Sequence, residues 1–442
     1  MNAALELHLV EAALSSRARY ERALAMLHTH RGDPLGEVER LLADDPAFMF
    51  GHCLRAALAV LAGDGAMHNA LAASIAAIES ARPAAGERER RHAAAARAAL
   101  EGDPVRALEL YAAIVVDWPR DILALTVAHA LDFRLGRRRM LRDRIAQVLP
   151  EWDASVPGYA SVLAMYAFGL EENGQRRRAE AIARRALSFA PGHPGAIHVV
   201  THVMEMQGRA RDGLAWLAAT ESSWAEGTGF SVHLAWHRGV FQLELDDVNA
   251  ALATYDSRLA PGDASGGAAL VDASALLWRL GLRNVDLGNR WRVLADRWEA
   301  RLRPRAPIFQ AVHALMAFTV AGRDEASLRV LDSIRAAASR SILALPPDEG
   351  LAEPVCEALI AFVRKDFARC VERLNHVRHL AHRCGGSLAQ CDLIHLTLTE
   401  AALRARQNRL ARALAAERTA QRPASRLNRL LLARAAGSMA AA

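Results

Sequence analysis

Lysine is almost absent from this 442-residue sequence, because Lys365 is the only lysine among 55 basic residues. Aromatic residues make up only 5% of the chain, and alternating runs rich in Val, Ile and Thr, which favour strands, are missing. Nucleic-acid-binding proteins usually cluster their basic residues on one face or beside aromatic residues. The arginines here are instead scattered through helical patterns, so the net charge of +6 does not indicate a nucleic-acid partner.

Cysteine is scarce too, and long apolar runs are missing. The five cysteines are odd in number and include no C-x2-C pair, which argues against a disulfide framework and a structural zinc site. No stretch reaches the roughly 18 uncharged apolar residues that a membrane span needs, and the N-terminus has no basic region before an apolar core. We therefore expect a cytoplasmic protein without a membrane segment.

Several catalytic sequence motifs are also missing. The sequence has no Walker loop and no G-x-G-x-x-G after a strand, which argues against a nucleotide site. It has no G-x-S-x-G either, which argues against a serine-hydrolase elbow.

Ala, Leu and Arg dominate what is present, and this composition predicts an all-α protein. From about residue 87 the apolar pattern divides into antiparallel helix pairs. The predicted turn residues are Gly102, Gly136, Gly174, Gly208 and Asp246, followed by Gly281, Gly322, Lys365 and Gln407. The first five are separated by 34 or 38 residues, and a period near 34 is typical of tetratricopeptide repeats (TPRs).

The repeat pattern predicts a TPR-like α/α superhelical solenoid, because one repeat cannot bury its own apolar face and must stack on its neighbours. Ala107, Ala181 and Ala251 stand at the small packing positions of second helices. We expect irregular N-terminal helices over 1–86, TPR-like repeats over 87–342, and C-terminal repeats with a cap over 343–442. The cap is predicted to include helices over 388–404 and 408–421, and residues 260–267 and 344–355 are predicted to be non-helical.

Polar chemistry is concentrated between residues 197 and 246. His198, His202 and Glu205 follow one another at spacings of four and three, and His233 and His237 are four apart. Such spacings place side chains on one face of a helix. His198 to His233 and His202 to His237 are both 35 residues, so stacked repeats would place the two sets side by side.

The same register extends to later repeats. His237, Asp272 and His313 each lie nine residues before their predicted turn residues, and His202 lies 35 before His237. This spacing predicts that His202, His237, Asp272 and His313 form one row of candidate catalytic residues.

Four interpretations of these residues stay open. The first is a set of buried, mutually hydrogen-bonded histidines. The second is a polar pocket for a small anionic or peptide-like ligand, with histidine, arginine and either Trp236 or Trp278 as walls. The third is a metal site, since imidazole and carboxylate ligands suit zinc, nickel or iron. The fourth is acid/base catalysis without a metal. The candidate metal ligands are His198, His202, Glu205, His233 and His237.

Six segments, in order along the chain, resemble the tetratricopeptide repeat protein 38 family, and this resemblance implies an α/α-superhelical, TPR-like fold. The segments are 92–121, Met165–Glu172 (MYAFGLEE), Ile197–Met206 (IHVVTHVMEM), Val232–Gly239 (VHLAWHRG), Asp272–Leu280 (DASALLWRL) and Gly385–Asp392 (GGSLAQCD). The last departs from the family pattern, because Leu388 stands where the family usually has histidine. Gln390 and Asp392 either close one end of the groove as ligand contacts or cap and pack a helix start.

Two functions are compatible with this sequence. One is a module that binds a small molecule or peptide in a pocket lined by histidines and acids. The alternative is an enzyme that uses these residues for acid/base or metal-assisted chemistry on a small molecule. The pattern specifies neither a cofactor nor an oligomeric state.

Overall fold

The computed structural model describes residues 3–63, 67–81, 85–262, 265–302, 306–338 and 351–440. The chain divides into two compact units. Unit 1 comprises Met1–Val199 with Gly227–Gly229, and unit 2 comprises Val200–Glu226 with Phe230–Ala442. The domain limits predicted from the sequence stay a prediction.

Unit 1 is a succession of helices joined by short turns. Its helices are α1 (Ala3–Thr29), α2 (Pro34–Asp44), α3 (Met49–Ala62), α4 (His68–Ser80), α5 (Glu87–Leu100), α6 (Pro104–Asp117), α7 (Ile122–Arg134), α8 (Arg138–Val148), α9 (Tyr159–Glu172) and α10 (Arg176–Phe189). Helix α11 (Pro194–Met206) begins in unit 1 and ends in unit 2.

Unit 2 continues the same architecture. Its further helices are α12 (Ala210–Ala219), α13 (Ser231–Glu244), α14 (Val248–Thr254), α15 (Gly267–Leu282), α16 (Arg290–Arg301), α17 (Ile308–Val320), α18 (Asp324–Ala338), α19 (Ala352–Val363), α20 (Phe367–Val377), α21 (Leu388–Arg404), α22 (Asn408–Gln421) and α23 (Arg426–Ala440). A π-helical turn, Tyr255–Leu259, follows α14.

The fold class is all-α with TPR-like antiparallel helix pairs, as predicted. Among the described residues no strand forms, and the single isolated β-bridge joins Arg31 to Thr228. No helix in the described part of the chain is long and apolar enough to cross a membrane.

Left-handed backbone at single residues closes the turns within pairs. Gly102, Gly136, Gly174, Gly208 and Asp246 all have φ between 63° and 84°, as the sequence predicted. Glycine reaches this region without the steric cost that a Cβ adds. One later turn prediction is wrong, because Gly281 lies inside α15 and the left-handed residue is Asn284. Gln407 lies in the turn between α21 and α22, where Arg406 is the left-handed residue.

The two stretches predicted to be non-helical are only partly described. In the first, residues 263 and 264 lie outside the described residues, and α15 begins at Gly267. In the second, residues 344–350 lie outside them, but α19 begins at Ala352. The second prediction is therefore wrong from Ala352 onward.

His193 caps the start of α11 inside unit 1. The backbone N–H of Ala196 donates to Nδ1 of His193 over 3.2 Å, so the proton of the neutral ring is on Nε2, which lies 2.9 Å from Oγ of Ser161. His193 is only 4% exposed. Burial is the main reason why its pKa falls from 6.5 to about 4. A second proton on this ring would displace the cap and bury a charge.

We expect acid to destabilise unit 1 through His193. In the unfolded chain this histidine takes up a proton below about pH 6.5, whereas in the folded protein its pKa is about 4. The free energy of unfolding therefore decreases as the pH falls from 6.5 to 4. The full effect of such a shift is about 3 kcal/mol. His193→Asn keeps a capping acceptor and should reduce the loss between pH 7 and pH 4.5, measured by urea unfolding. The exposed His68 gives the control: His68→Asn should leave the loss unchanged. Equal acid sensitivity of the His193→Asn variant and the wild type would refute this assignment.

Candidate functional site

The candidate site of unit 2 is built on three helices. Helix α11 contributes His202 and Glu205, α13 contributes His233 and His237, and α15 contributes Asp272. On α11 and α13 these residues are separated by three or four positions, so each pair shares one helix face. His202 and His237 are completely buried, and Glu205 and Asp272 are 6% and 3% exposed.

Glu205 and His237 form the first histidine–carboxylate pair. Oε2 of Glu205 lies 2.7 Å from Nδ1 of His237. Burial raises the pKa of Glu205. Burial, reinforced by the positive charges of His202, His233 and Arg279, holds the pKa of His237 well below its usual value. Both directions disfavour an ion pair between these two side chains.

His233 and Asp272 form the second pair, with the opposite electrostatics. Nδ1 of His233 lies 2.9 Å from Oδ2 of Asp272. Burial alone would lower the pKa of His233. The charge of Asp272, the hydrogen bond to it and the charge of Glu205 outweigh burial and raise this pKa. Asp272 therefore favours the protonated form of His233.

Aromatic contacts hold the two pairs together. The ring of His237 lies 4.7 Å from that of His202 and 4.8 Å from that of His233, measured between centroids. Trp236 stacks on His233 at 5.4 Å with an interplanar angle of 9°. The guanidinium of Arg279 lies 5.3 Å from the centroid of Trp236, which is cation–π geometry. The two pairs therefore form one packed cluster.

A cavity of about 40 Å³ lies beside this cluster, wholly within unit 2. Its wall includes Glu205, so the carboxyl group that bonds His237 also borders the cavity. The other charged residues of the wall are Glu244, Arg279, Arg283, Asp392, Glu400, Arg418 and Arg422. By comparison, one water needs roughly 10–15 Å³ of such volume, so the cavity accommodates a group of a few atoms.

Arg418 and Asp392 form a bidentate ion pair on the cavity wall. Nη1 and Nη2 of Arg418 lie 2.8 and 3.1 Å from the two oxygens of Asp392, and Nη2 of Arg422 is 3.5 Å from the same carboxylate. Burial alone would raise the pKa of Asp392, but the charges of Arg418 and Arg422 lower it far below its usual range. Asp392, proposed from the sequence as a ligand contact, is thus a permanent anion that orients two arginines.

Gln390, the other predicted contact in that segment, belongs to the start of α21. Its side-chain Oε1 accepts from the backbone N–H of Ser387, and Oγ of Ser387 accepts from the N–H of Gln390. This reciprocal arrangement is a capping box. Of the two alternatives left open by the sequence, helix capping therefore describes Gln390.

The predicted row of four residues is only partly assembled. Asp272 pairs with His233 and not with His237, because the turn after α15 is at Asn284 and not at Gly281. Asp272 thus lies twelve residues before its turn, while His233 lies thirteen before Asp246. Nδ1 of His313 lies 2.7 Å from the carbonyl of Phe309 in its own helix. Burial lowers the pKa of His313 to about 4.

His198 lies on the part of α11 that belongs to unit 1. It is 7% exposed. Its ring packs 5.9 Å from that of Phe168, measured between centroids, which is an aromatic contact within unit 1.

Sequence reasoning missed Arg279, Arg418 and Arg422. Arg279 lies in the DASALLWRL segment, one residue after Trp278, and a single arginine on an apolar helix is a detectable signal. Arg418 and Arg422 follow Asp392 by 26 and 30 residues, and no local spacing links such positions. Helix packing brings them together.

Comparison with known proteins adds no family assignment, because no family model matches the chain. Two solved structures are similar at low identity. One, Naa15/Naa10 bound to HypK-THB, is 10% identical, covers 96% of this chain and 68% of that chain, and gives a TM-score of 0.25. The other, the P58(IPK) TPR domain, is 11% identical, covers 89% and 99% respectively, and gives a TM-score of 0.20.

Proposed function

We propose that unit 2 binds a small molecule or peptide through a carboxylate group in the arginine-lined cavity. The observation that carries this proposal is Arg279. This residue is 5% exposed and borders the cavity. Its guanidinium donates to the carbonyls of Ala275 and Ala389, at 3.3 and 3.1 Å. Among the described residues, no carboxylate lies within ion-pair distance of it.

A buried cation without an anionic partner is costly, and an anion that reaches it offsets this cost. Burial lowers the pKa of Arg279, which reflects the same penalty. Arginine presents its N–H groups in a planar fork that matches a carboxylate. A carboxylate of the ligand would therefore complete the hydrogen bonding of Arg279.

Most arginines of the cavity wall already have an anionic partner. Arg283 is paired with Asp246, and Glu400 is paired with Arg404 and Arg434. Of the remaining arginines, Arg418 and Arg422 contact Asp392. Arg279 is therefore the arginine of this wall that has no carboxylate of the described residues within ion-pair distance.

Acetate provides the test, with acetamide as its uncharged isostere. We expect acetate to raise the melting temperature of the full chain in a saturable way and acetamide to have no effect. Arg279→Met removes the guanidinium but keeps an apolar stem. Because a hydrogen bond to a charged group contributes about 1.5–3 kcal/mol, this variant should bind acetate at least tenfold more weakly.

Arg283→Met is the matched control. Arg283 also borders the cavity, but it pairs with an aspartate that is 46% exposed, so its loss should leave acetate binding unchanged. A short peptide with a free C-terminus, compared with its amide, separates a peptide ligand from a small acid. Equal binding of acetate and acetamide, or unchanged acetate binding in Arg279→Met, would overturn the proposal.

We also propose that the chain belongs to the tetratricopeptide repeat protein 38 family, on the strength of the six segments. Solving a family member tests this: the counterparts of His202 and His237 should lie on two successive helix pairs. Another arrangement would contradict membership.

A cytoplasmic location is a further proposal. All five cysteines are buried and none forms a disulfide, which fits a reducing compartment. Recovery of the protein outside the cytoplasmic fraction would oppose it.

A further inference from the structure

We propose that His202, His233 and His237 form a binding site for a transition-metal ion, with zinc as the best-matched ion. One ring nitrogen from each of these residues lies within 4.8 Å of those of the other two. All three residues belong to unit 2 and lie on only two helices, α11 and α13. Three imidazoles from two adjacent helices are thus already gathered around one point.

The separations are compatible with a tetrahedral ion after a small rearrangement. Zn–N bonds are about 2.0–2.1 Å long, so nitrogens on one tetrahedral zinc lie roughly 3.4 Å apart. Starting from separations of at most 4.8 Å, each ring moves by no more than roughly 1 Å to reach this geometry. Side-chain rotation supplies a movement of that size without a change in the helices.

The carboxylates provide the second argument. A metal-binding histidine usually donates its other ring N–H to a carboxylate, which fixes the tautomer and the ring orientation. Nδ1 of His237 is 2.7 Å from Glu205, and Nδ1 of His233 is 2.9 Å from Asp272. In both residues the nitrogen that faces the carboxyl group is therefore Nδ1. Two of the three proposed ligands have the carboxylate support found around zinc.

The ligand set indicates which ion fits best. Three imidazoles and no thiolate suit zinc, and nickel, copper or iron are the other ions compatible with imidazole. A bound zinc ion would give the enzymatic alternative a concrete form, because zinc acts as a Lewis acid.

The rival explanation is a cluster that serves only packing and hydrogen bonding. The two explanations differ in one measurable quantity, the stoichiometry and affinity of bound metal. We would therefore express the full chain, remove any affinity tag, add zinc, dialyse against metal-free buffer and determine the zinc content. We expect one zinc per chain, and the cobalt-loaded protein should show the visible absorption of tetrahedral cobalt.

His237→Ala should abolish stoichiometric zinc, and His313→Ala is the matched control. His313 is a buried histidine of the same unit whose Nδ1 is 2.7 Å from a carbonyl of its own helix, so its loss should leave the zinc content unchanged. Asp272→Asn keeps all three imidazoles and removes only carboxylate support, so it should weaken zinc binding about 10–100-fold. This variant also provides the test if His237→Ala does not fold.

Two results would overturn the metal proposal: wild-type protein that retains no zinc after dialysis, or an Asp272→Asn variant with wild-type zinc affinity and cobalt spectrum. Failure of the metal proposal is distinguishable from failure of the carboxylate proposal. Arg279→Met should lose acetate binding and keep its zinc, whereas Asp272→Asn should lose zinc affinity first.

Discussion

Replacing Gly169 by alanine should destabilise unit 1 by on the order of 3 kcal/mol, the upper end of the cost of overpacking. Gly169 lies in α9, where a Cβ would come within 2.4 Å of the carbonyl oxygen of Leu141 and 2.5 Å of the backbone nitrogen of Arg142. These atoms belong to the backbone of α8 and cannot rotate away. In a helix interior without such a contact, replacing glycine by alanine stabilises the helix by about 1 kcal/mol. A loss of stability at Gly169 would therefore show that the two helix backbones approach closely.

Gly174→Ala supplies the control for this substitution. Gly174 ends the same helix with a φ of +75°, and no heavy atom lies within 4 Å of its missing Cβ. Its substitution should lower the free energy of unfolding by about 1–2 kcal/mol, the cost of holding an alanine in the left-handed conformation. Urea unfolding of both variants at pH 7 measures the difference. If Gly169→Ala lowered the free energy of unfolding no more than Gly174→Ala does, that result would contradict the close packing of α8 against α9.

The second large effect is expected at Asp392. Asp392→Ala removes the shared anionic partner of Arg418 and Arg422, and loss of one partner from a buried ion pair costs about 3–5 kcal/mol. Arg418 is only 6% exposed, so water can compensate little. Added acetate should bind in the space left by the carboxylate and recover part of the lost stability. Thermal unfolding with acetate and with acetamide measures this recovery.

Asp246→Asn is the matched control for Asp392→Ala, because it removes the charge and keeps a residue type that tolerates the left-handed backbone of this turn. Asp246 also pairs with an arginine, Arg283, but its side chain is 46% exposed. Exposed ion pairs contribute about 0–1 kcal/mol, so the loss should be small and acetate should not restore it. An Asp392→Ala variant as stable as wild type would show that the arginines do not depend on this carboxylate.

Much of the fold could be predicted from the sequence, because local signals define helix ends. The helices predicted over 388–404 and 408–421 are α21 and α22. The sequence alone does not specify which alanines of a helix are buried. Ala181 is exposed, and Ala179, Ala183 and Ala186 form the buried stripe of α10. Several small residues compete for the packing positions, and the partner helix decides which are buried.

The candidate site was predicted less completely, because its pairs depend on how far each helix extends before its turn. The sequence placed His233, His237 and Glu205 together, since each pattern is local. It places Asp272 in one row with His237, whereas Asp272 contacts His233, because the turn residue after α15 is Asn284 and not Gly281. The salt bridge between Arg418 and Asp392 joins two different helices, and periodicity carries no information about such a contact.

Glu205 is shared by the two proposed sites, since it bonds His237 and borders the arginine-lined cavity. A ligand at either place that alters the position or charge of Glu205 changes the free energy of binding at the other. Thermodynamic linkage makes this effect reciprocal. The factor by which zinc changes the dissociation constant of acetate must equal the factor by which acetate changes that of zinc. A single carboxyl group would then make unit 2 a heterotropic switch, without any rearrangement of its helices.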